Sequence, residues 1–386
     1  MQSTSMGPAE FGVSPISGFM PEHDPLQRLP RPFDAWEDIA HDLPKYLVGD
    51  SIREIIDELP SFPTEHLVTS RQYERAMVLL SYLGHAYVWC GATPASVLPA
   101  NLAIPWYEVA TKLGRPPVLS YASYCLHNWR RLRTDRPVEA GSVALIQNFL
   151  AGEDEEWFVL IHADIEMRAA PAVSKLLELQ DAVGREEKEE VRKLLEVVAS
   201  SLEAMNRTMD RMPEHCDPYI YFNRVRPYIH GWRDHPGLPE GVVYEGVAEY
   251  GSKPQTFRGE TGAQSGIIPA FDAVLGIEHE SDRLRDYLME MRTYMPPRHR
   301  AFVEHLESGS SLREFALAEG GLVKELYNVC IEGVGHFRST HLRFAASYIH
   351  SQVSKDAANP SDVGTGGTPF MPYLKKHRDE TAAHQI

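Results

Sequence analysis

Apolar side chains return at helical spacing across residues 185–212. Val191, Leu194, Leu195, Val198 and Leu202 line one side of REEKEEVRKLLEVVASSLEAMNRTMDRM, and the Glu, Lys and Arg between them form a solvated face. Similar patterns predict helices from about Phe33 to Leu113, in AWEDIAHDLPKYL, SIREIIDELP and SRQYERAMVLLSYLGHAYVW. Gly-Arg-Pro-Pro at 114–117 stops a helix and marks a hinge. Further on, WFVLIHADIEMRAAPAVSKLLELQDAV predicts one helix kinked near Pro171. Helices resume in IPAFDAVLGI, DRLRDYLMEMRTYM, PPRHRAFVEHLESG and SLREFALAEG, and a long last one runs from about Leu322 to Gln352.

Residues 1–30, rich in Gly, Pro and Ser, read as an extended arm, and the loop-rich stretch 231–266 has room for a small hairpin. No repeat and no set of alternating strands is visible, so the chain is expected to be all-α. The expected division is a small helical N-terminal domain with its arm, 1–114, and a large helical domain, 115–386, that includes a mobile loop at 351–368.

Composition narrows the function. With 386 residues, 43% hydrophobic and 24% charged, the chain can bury a large core. Lys and Arg number 38 against 54 Asp and Glu, a net charge of -16, which argues against a nucleic-acid partner. No apolar run suits a membrane span, and the N-terminus has no basic segment followed by an apolar one. Four scattered cysteines, Cys90, Cys125, Cys216 and Cys330, suggest neither a zinc site nor a disulfide framework, and a cytoplasmic home is expected.

On the last helix, Leu326, Val329, Cys330 and Phe337 recur at helical spacing, and His341 continues the stripe towards Phe344 and Tyr348. A metal ion on one nitrogen and a hydrogen-bond partner on the other would satisfy such an imidazole; a core histidine bonded to a carbonyl has the same pattern. His336 and His350 lie off the stripe and are expected at the surface. His162 shares a face with Phe158 one turn earlier, either to bond a ligand or as a satisfied core residue.

In DPYIYFNRVRPYIHGW, Arg226 follows Phe222 by four residues and sits near Tyr221. It suits the carboxylate of an aromatic ligand, or an acidic side chain of the protein. FRGETGAQSG at 257–266 can present backbone NH groups and the Thr261 hydroxyl to a ligand. GTGGT at 364–368 is a solvent loop or a lid, and lacks the spacing of a phosphate-binding loop. A nucleophile elbow, an HExxH motif and a dinucleotide fingerprint are all missing, which weakens hydrolase and dehydrogenase readings.

The segments AYVW ending at Trp89, LSYA at 119–122, GLPEGVVYEG at 237–246, MRTYMPPRHRAF at 291–302, SLREF at 311–315, FRSTHL at 337–342 and GTGGTPFMPYLK at 364–375 together span nearly the whole chain. In their order and spacing they resemble the indoleamine 2,3-dioxygenase family. The resemblance implies a small α domain over a large one that holds haem b, with His341 as the iron ligand. It implies that Arg226 binds the substrate carboxylate beside Phe222 and Tyr221, that Phe158 stacks near the indole, and that Tyr121 lines the pocket. Gly259 to Gly262, with Thr261, would touch substrate and a haem propionate; Arg338 would be a propionate-side or lid-side partner, and Thr365 would belong to the lid.

The implied reaction opens the indole C2–C3 bond of L-tryptophan or a related indoleamine with O2, giving N-formylkynurenine, and draws on a reductant not identified by sequence. The chain departs from the animal pattern in three places. His162 stands where those enzymes carry a serine, as in the related tryptophan 2,3-dioxygenases with their distal histidine; Tyr221 stands for a phenylalanine and Thr261 for a serine. These departures keep two alternatives open: a haem-dependent aromatic oxygenase of secondary metabolism acting on a modified tryptophan, and a non-catalytic haem-binding sensor.

Overall fold

A computed structural model describes residues 6–49, 51–309, 311–352, 359–367 and 370–386. Within the expected mobile loop, 353–358 and 368 therefore lie outside the described residues. The chain is built mainly of helices: α1 Asp34–His41, α2 Leu43–Val48, α3 Ile52–Asp57, α4 Ser70–Trp89, α5 Ala100–Leu113, α6 Glu153–Val173, α7 Leu176–Gly184 and α8 Lys188–Met209. After them come α9 Pro218–Ile220, α10 Arg226–Ile229, α11 Ile267–Leu275, α12 Arg283–Arg292, α13 Pro297–Glu307, α14 Leu312–Glu319, α15 Gly321–Ala345 and α16 Phe370–Ala382. The all-α expectation holds.

Local chemistry sets many of the boundaries. Thr69 and Gln72 form a reciprocal capping box at the start of α4, and Gly114 closes α5 in the left-handed conformation, where the sequence predicted a stop. Val191, Leu194, Leu195, Val198 and Leu202 are all buried on α8, as their spacing required. The N-terminal arm is packed, with Phe11 and Phe19 each 5.7 Å from the ring of Phe302.

Three expectations are corrected. The helix through Pro171 does not kink and continue: α6 ends at Val173 and α7 starts at Leu176, since proline sits in the final turn of α6 and the chain turns at Ser174 and Lys175. No hairpin of paired strands forms in 231–266. Its short strand Val243–Tyr244 instead runs parallel to Val97–Leu98, a partner far away in sequence, with only a single bridge between Val242 and Gln255. Val329, placed on the buried stripe of α15, is exposed; the face turned inward there runs through Tyr327, Cys330, Ile331 and Val334. His336 and His350 are exposed, as expected.

Two features position the site. Helix α8 lies along both α6 and α15, while α6 and α15 hardly touch one another, so a gap opens between their inner faces. At the other end, the backbone at Gly231 crosses that at Gly259. A Cβ on Gly231 would lie 2.1 Å from the Gly259 nitrogen, and one on Gly259 would lie 2.2 Å from the Gly231 nitrogen, so no larger residue fits at either position.

Candidate functional site

Residues Glu153, Asp154, Glu155 and Glu156 open α6 at the positive end of its dipole, and one turn further in Phe158 and His162 stand on the same face. Their rings are 4.7 Å apart, and His162 Nδ1 lies 2.7 Å from the Phe158 carbonyl. A carbonyl can only accept, so Nδ1 carries the proton and Nε2 keeps its lone pair free. Burial lowers the pKa of His162, which keeps the ring neutral.

Across the gap, on α15, the His341 ring is accessible, and no described residue donates to it or accepts from it. Yet desolvation by the surrounding protein, followed by the charge of His162, pushes its pKa down to about 4. A ring that is both accessible and surrounded by protein stands in a recess, near enough to His162 to feel its charge. A neutral imidazole facing His162 across that space is chemically suited to bind a metal centre from one side.

Aromatic rings wall this space. Phe158 lies 4.6 Å from Tyr221, Tyr221 lies 5.9 Å from Tyr348, and Tyr121 meets His162 edge-on at 6.0 Å. Three π-helical turns, Ala122–Leu126, Tyr221–Val225 and Ala346–His350, supply or adjoin these residues, which is a common association of such bulges with functional sites. The Tyr121 hydroxyl points elsewhere, donating to Glu166 Oε1 at 3.0 Å, so Tyr121 gives the space its ring.

Arg226 is fully buried at the start of α10 and stacks on Phe222 at 5.3 Å. Among the described residues no carboxylate pairs with it. Its donors go to Asn359 Oδ1, the Val363 carbonyl and the Pro360 carbonyl, the last at 2.9 Å, while Nε has no partner. Burial lowers its pKa to about 10, partly offset by Tyr221 and Asp362, so it remains a cation.

The 257–266 loop runs past the same place. Thr261 accepts from the Ala263 nitrogen at 3.4 Å and so caps its own turn, while Gly262 is exposed. The Thr365 hydroxyl donates to the Glu260 carbonyl at 2.5 Å, and Arg258 donates to the Gly366 carbonyl at 2.5 Å, which docks the described part of the 364–368 segment onto this loop. Arg338, one turn before His341 on α15, pairs with Asp272 at 2.6 Å and donates to Thr381 on α16.

The sequence reading missed three residues. Tyr124, one turn after Tyr121, is buried with an unpartnered hydroxyl, and its ring lies 6.4 Å from Phe158; the repeated tyrosine of YASY was the available signal. Glu166 is one turn beyond His162, and Glu260 stands inside the loop that was singled out for its neighbours. Desolvation pushes Glu166 up to about 7, against hydrogen bonds from Ser265 and Tyr121, and pushes Glu260 up to about 8.

These carboxyls make stability depend on pH. Glu155 is likewise raised to about 7 by burial, so all three hold protons in the folded chain that the unfolded chain, near 4.5, has released. Their contribution is complete below pH 4.5 and is lost as pH rises through 7 to 8. The lowered histidines His85, His299 and His341 act only below about 6.5, where the unfolded ring gains its proton. The melting temperature of the apoprotein should therefore fall between pH 6.5 and 8.5, and a rise over that interval would contradict the assignment.

Residues 7–384 match the family model described as indoleamine 2,3-dioxygenase. Indoleamine 2,3-dioxygenase 1 of Rattus norvegicus is 35% identical, the alignment covering 96% of this chain and 94% of that protein. Indoleamine 2,3-dioxygenase 2 of Homo sapiens is 34% identical over 96% and 93%, and indoleamine 2,3-dioxygenase of Saccharomyces cerevisiae is 31% identical over 97% and 92%.

Proposed function

Because the chain belongs to the indoleamine 2,3-dioxygenase family of oxidoreductases, we propose that the space between α6 and α15 holds haem b on His341 and admits an indole on the His162 side. The single observation that supports this most is the pair of imidazoles kept neutral by burial beside the same aromatic rings, with His341 accessible and, among the described residues, without a hydrogen bond. The residues present fit a porphyrin: a ligating imidazole on one face, a flat apolar wall, and a polar loop at 257–266. When bound and reduced, that group supplies the activation of O2.

The protein's own residues bind and orient. Phe158 and Tyr221 pack against the indole ring, and Tyr121 borders it. His162 Nε2, left unprotonated by the Nδ1 bond to Phe158, accepts the indole N–H. Arg226 takes the substrate carboxylate in place of the 359–363 oxygens, beside Phe222. Thr261, Gly262 and Thr365 close the site from the loop side, with Gly259 and Thr261 next to the porphyrin edge. Arg338, one turn before His341, ties α15 to α16 and would stand on the propionate or lid side of the cofactor.

The substrate proposed is L-tryptophan or a related indoleamine, opened at C2–C3 by O2 with an unidentified reductant keeping the iron ferrous. No helix of the described residues is long and apolar enough to cross a membrane, and we propose a cytoplasmic location. An aerobic assay of reduced, haem-loaded protein with L-tryptophan and labelled O2 tests this: N-formylkynurenine with both oxygen atoms labelled is expected. A product holding one labelled atom would favour the alternative, an aromatic oxygenase acting on a modified tryptophan; the occupied donors of Arg226 keep that alternative in view.

His162→Ala should keep its haem and lose roughly 5- to 30-fold in turnover of L-tryptophan, the value of one desolvated hydrogen bond. An N1-methylated tryptophan, which has no proton to give, should show a much smaller difference between the two proteins. Loss of the Soret band in this variant would reverse the two faces of the site.

A further inference from the structure

We propose that the Glu260 carboxylate is the ammonium subsite of this pocket, selecting indoles with a cationic amine over those with an acid alone; the inference rests on the indole-site reading above. Three observations lead there. Glu260 is only 3% exposed, and among the described residues none donates a hydrogen bond to its carboxylate. Its backbone is fixed on both sides, the nitrogen donating to the Ile229 carbonyl at 3.1 Å and the carbonyl accepting from Thr365 at 2.5 Å, beside the Gly231–Gly259 crossing. Ile229 belongs to α10, the helix that Arg226 begins, so the carboxylate and the guanidinium are carried by segments bonded to each other.

The groups that feel the charge of Glu260 are the phenols of Tyr82, Tyr121, Tyr124 and Tyr221 and the thiol of Cys125. All are neutral, and Tyr121 and Tyr221 are the rings that border the proposed indole. Among the described residues no cation offsets the burial of this carboxyl. The pocket thus holds, among those residues, a buried carboxyl with no cation beside it and a buried cation, Arg226, with no paired carboxylate. A carboxyl that can ionise against an ammonium and a guanidinium that can exchange neutral oxygens for a carboxylate suit the two ends of an α-amino acid.

The two halves are not equivalent. Both Nη atoms of Arg226 are already served by Asn359, Pro360 and Val363, so a ligand lacking a carboxylate leaves only Nε without a partner. Among the described residues none serves the Glu260 carboxyl, so a ligand lacking an amine leaves it buried and unpaired. An indole alkylamine should therefore bind better than an indole alkanoate of the same length.

Proton balance gives a direct readout. Held near 8 by burial, Glu260 is protonated in the free protein at pH 7 and must ionise to pair with an ammonium. Binding then turns a carboxylic acid and an ammonium into a carboxylate–ammonium pair and releases one proton to the buffer.

The test is calorimetry on ferric, haem-loaded protein at pH 7, in two buffers of different ionisation enthalpy, with tryptamine and with indole-3-propionate. For tryptamine, release of close to one proton is expected, with affinity rising roughly tenfold per pH unit below pH 8. Indole-3-propionate should bind more weakly and release none. Glu260→Gln should abolish the release and weaken tryptamine at least tenfold while leaving indole-3-propionate within about threefold, and Glu260→Asp should restore part of the release.

Equal proton counts for tryptamine in wild type and Glu260→Gln would overturn the proposal and leave the indole site standing. Loss of haem in Glu260→Gln would also overturn it, by assigning the carboxyl to the cofactor. If neither indole binds the haem-loaded wild type, the indole-site reading itself fails. The wild-type proton count stands even if a variant does not fold.

Discussion

Alanine in place of His341 should yield a protein that folds but stays colourless, with no Soret band and no detectable turnover. Folding should survive because the ring makes no hydrogen bond within the described protein, so its loss strands no partner. Its pKa of about 4 has a further consequence: the imidazole is available as a neutral ligand throughout the physiological range, so haem uptake should be independent of pH around neutrality. Added imidazole should enter the space left in His341→Ala and recover part of the Soret absorption. A variant with the wild-type Soret position and intensity would refute the ligand assignment and, with it, the dioxygenase mechanism for this cavity.

Arg226→Ala should show the second-largest effect, a loss of L-tryptophan affinity of about 2–5 kcal/mol, roughly thirty- to several-thousand-fold, as expected when one partner of a desolvated charge pair is removed. Tryptamine should lose far less, since it has no carboxylate to offer. The same substitution removes the ties to Asn359, Pro360 and Val363, so limited proteolysis near 359–363 should accelerate. Unchanged affinity for L-tryptophan together with faster cleavage would make Arg226 a fastener for that segment and not a substrate residue.

The extent to which the site was legible in sequence follows the range of the interactions involved. The stripe of α8, the stop at Gly114 and the sharing of one helix face by Phe158 and His162 depend on spacing within a few turns, and periodicity reveals such things. Pairing of Val97–Leu98 with Val243–Tyr244 depends on segments far apart, and no local pattern announces it. Val329 is apolar yet exposed, because an apolar stripe says which residues tolerate burial and not which neighbours will arrive to cover them.

Charge is least legible of all. Glu260, in a loop of glycines and hydroxyls, looks like any solvated acid until the fold closes around it, and the oxygens that occupy Arg226 come from a segment more than a hundred residues later. Arg338 illustrates the same limit: its motif named no protein partner, and the fold brings it Asp272 and Thr381. Family resemblance suggested site residues but not their partners.

The contact between Gly231 and Gly259 bears on how selectivity can be altered by design. With two main chains in van der Waals contact, the stretch after Arg226 and the stretch before Glu260 act as one welded frame, whose width neither can adjust. Anyone wishing to broaden or invert the preference of this pocket would gain little from lengthening or loosening the loop. The accessible variables are the side chains mounted on the frame, at 260, 261 and 262, and a library confined to those three positions should shift ligand choice while sparing the scaffold.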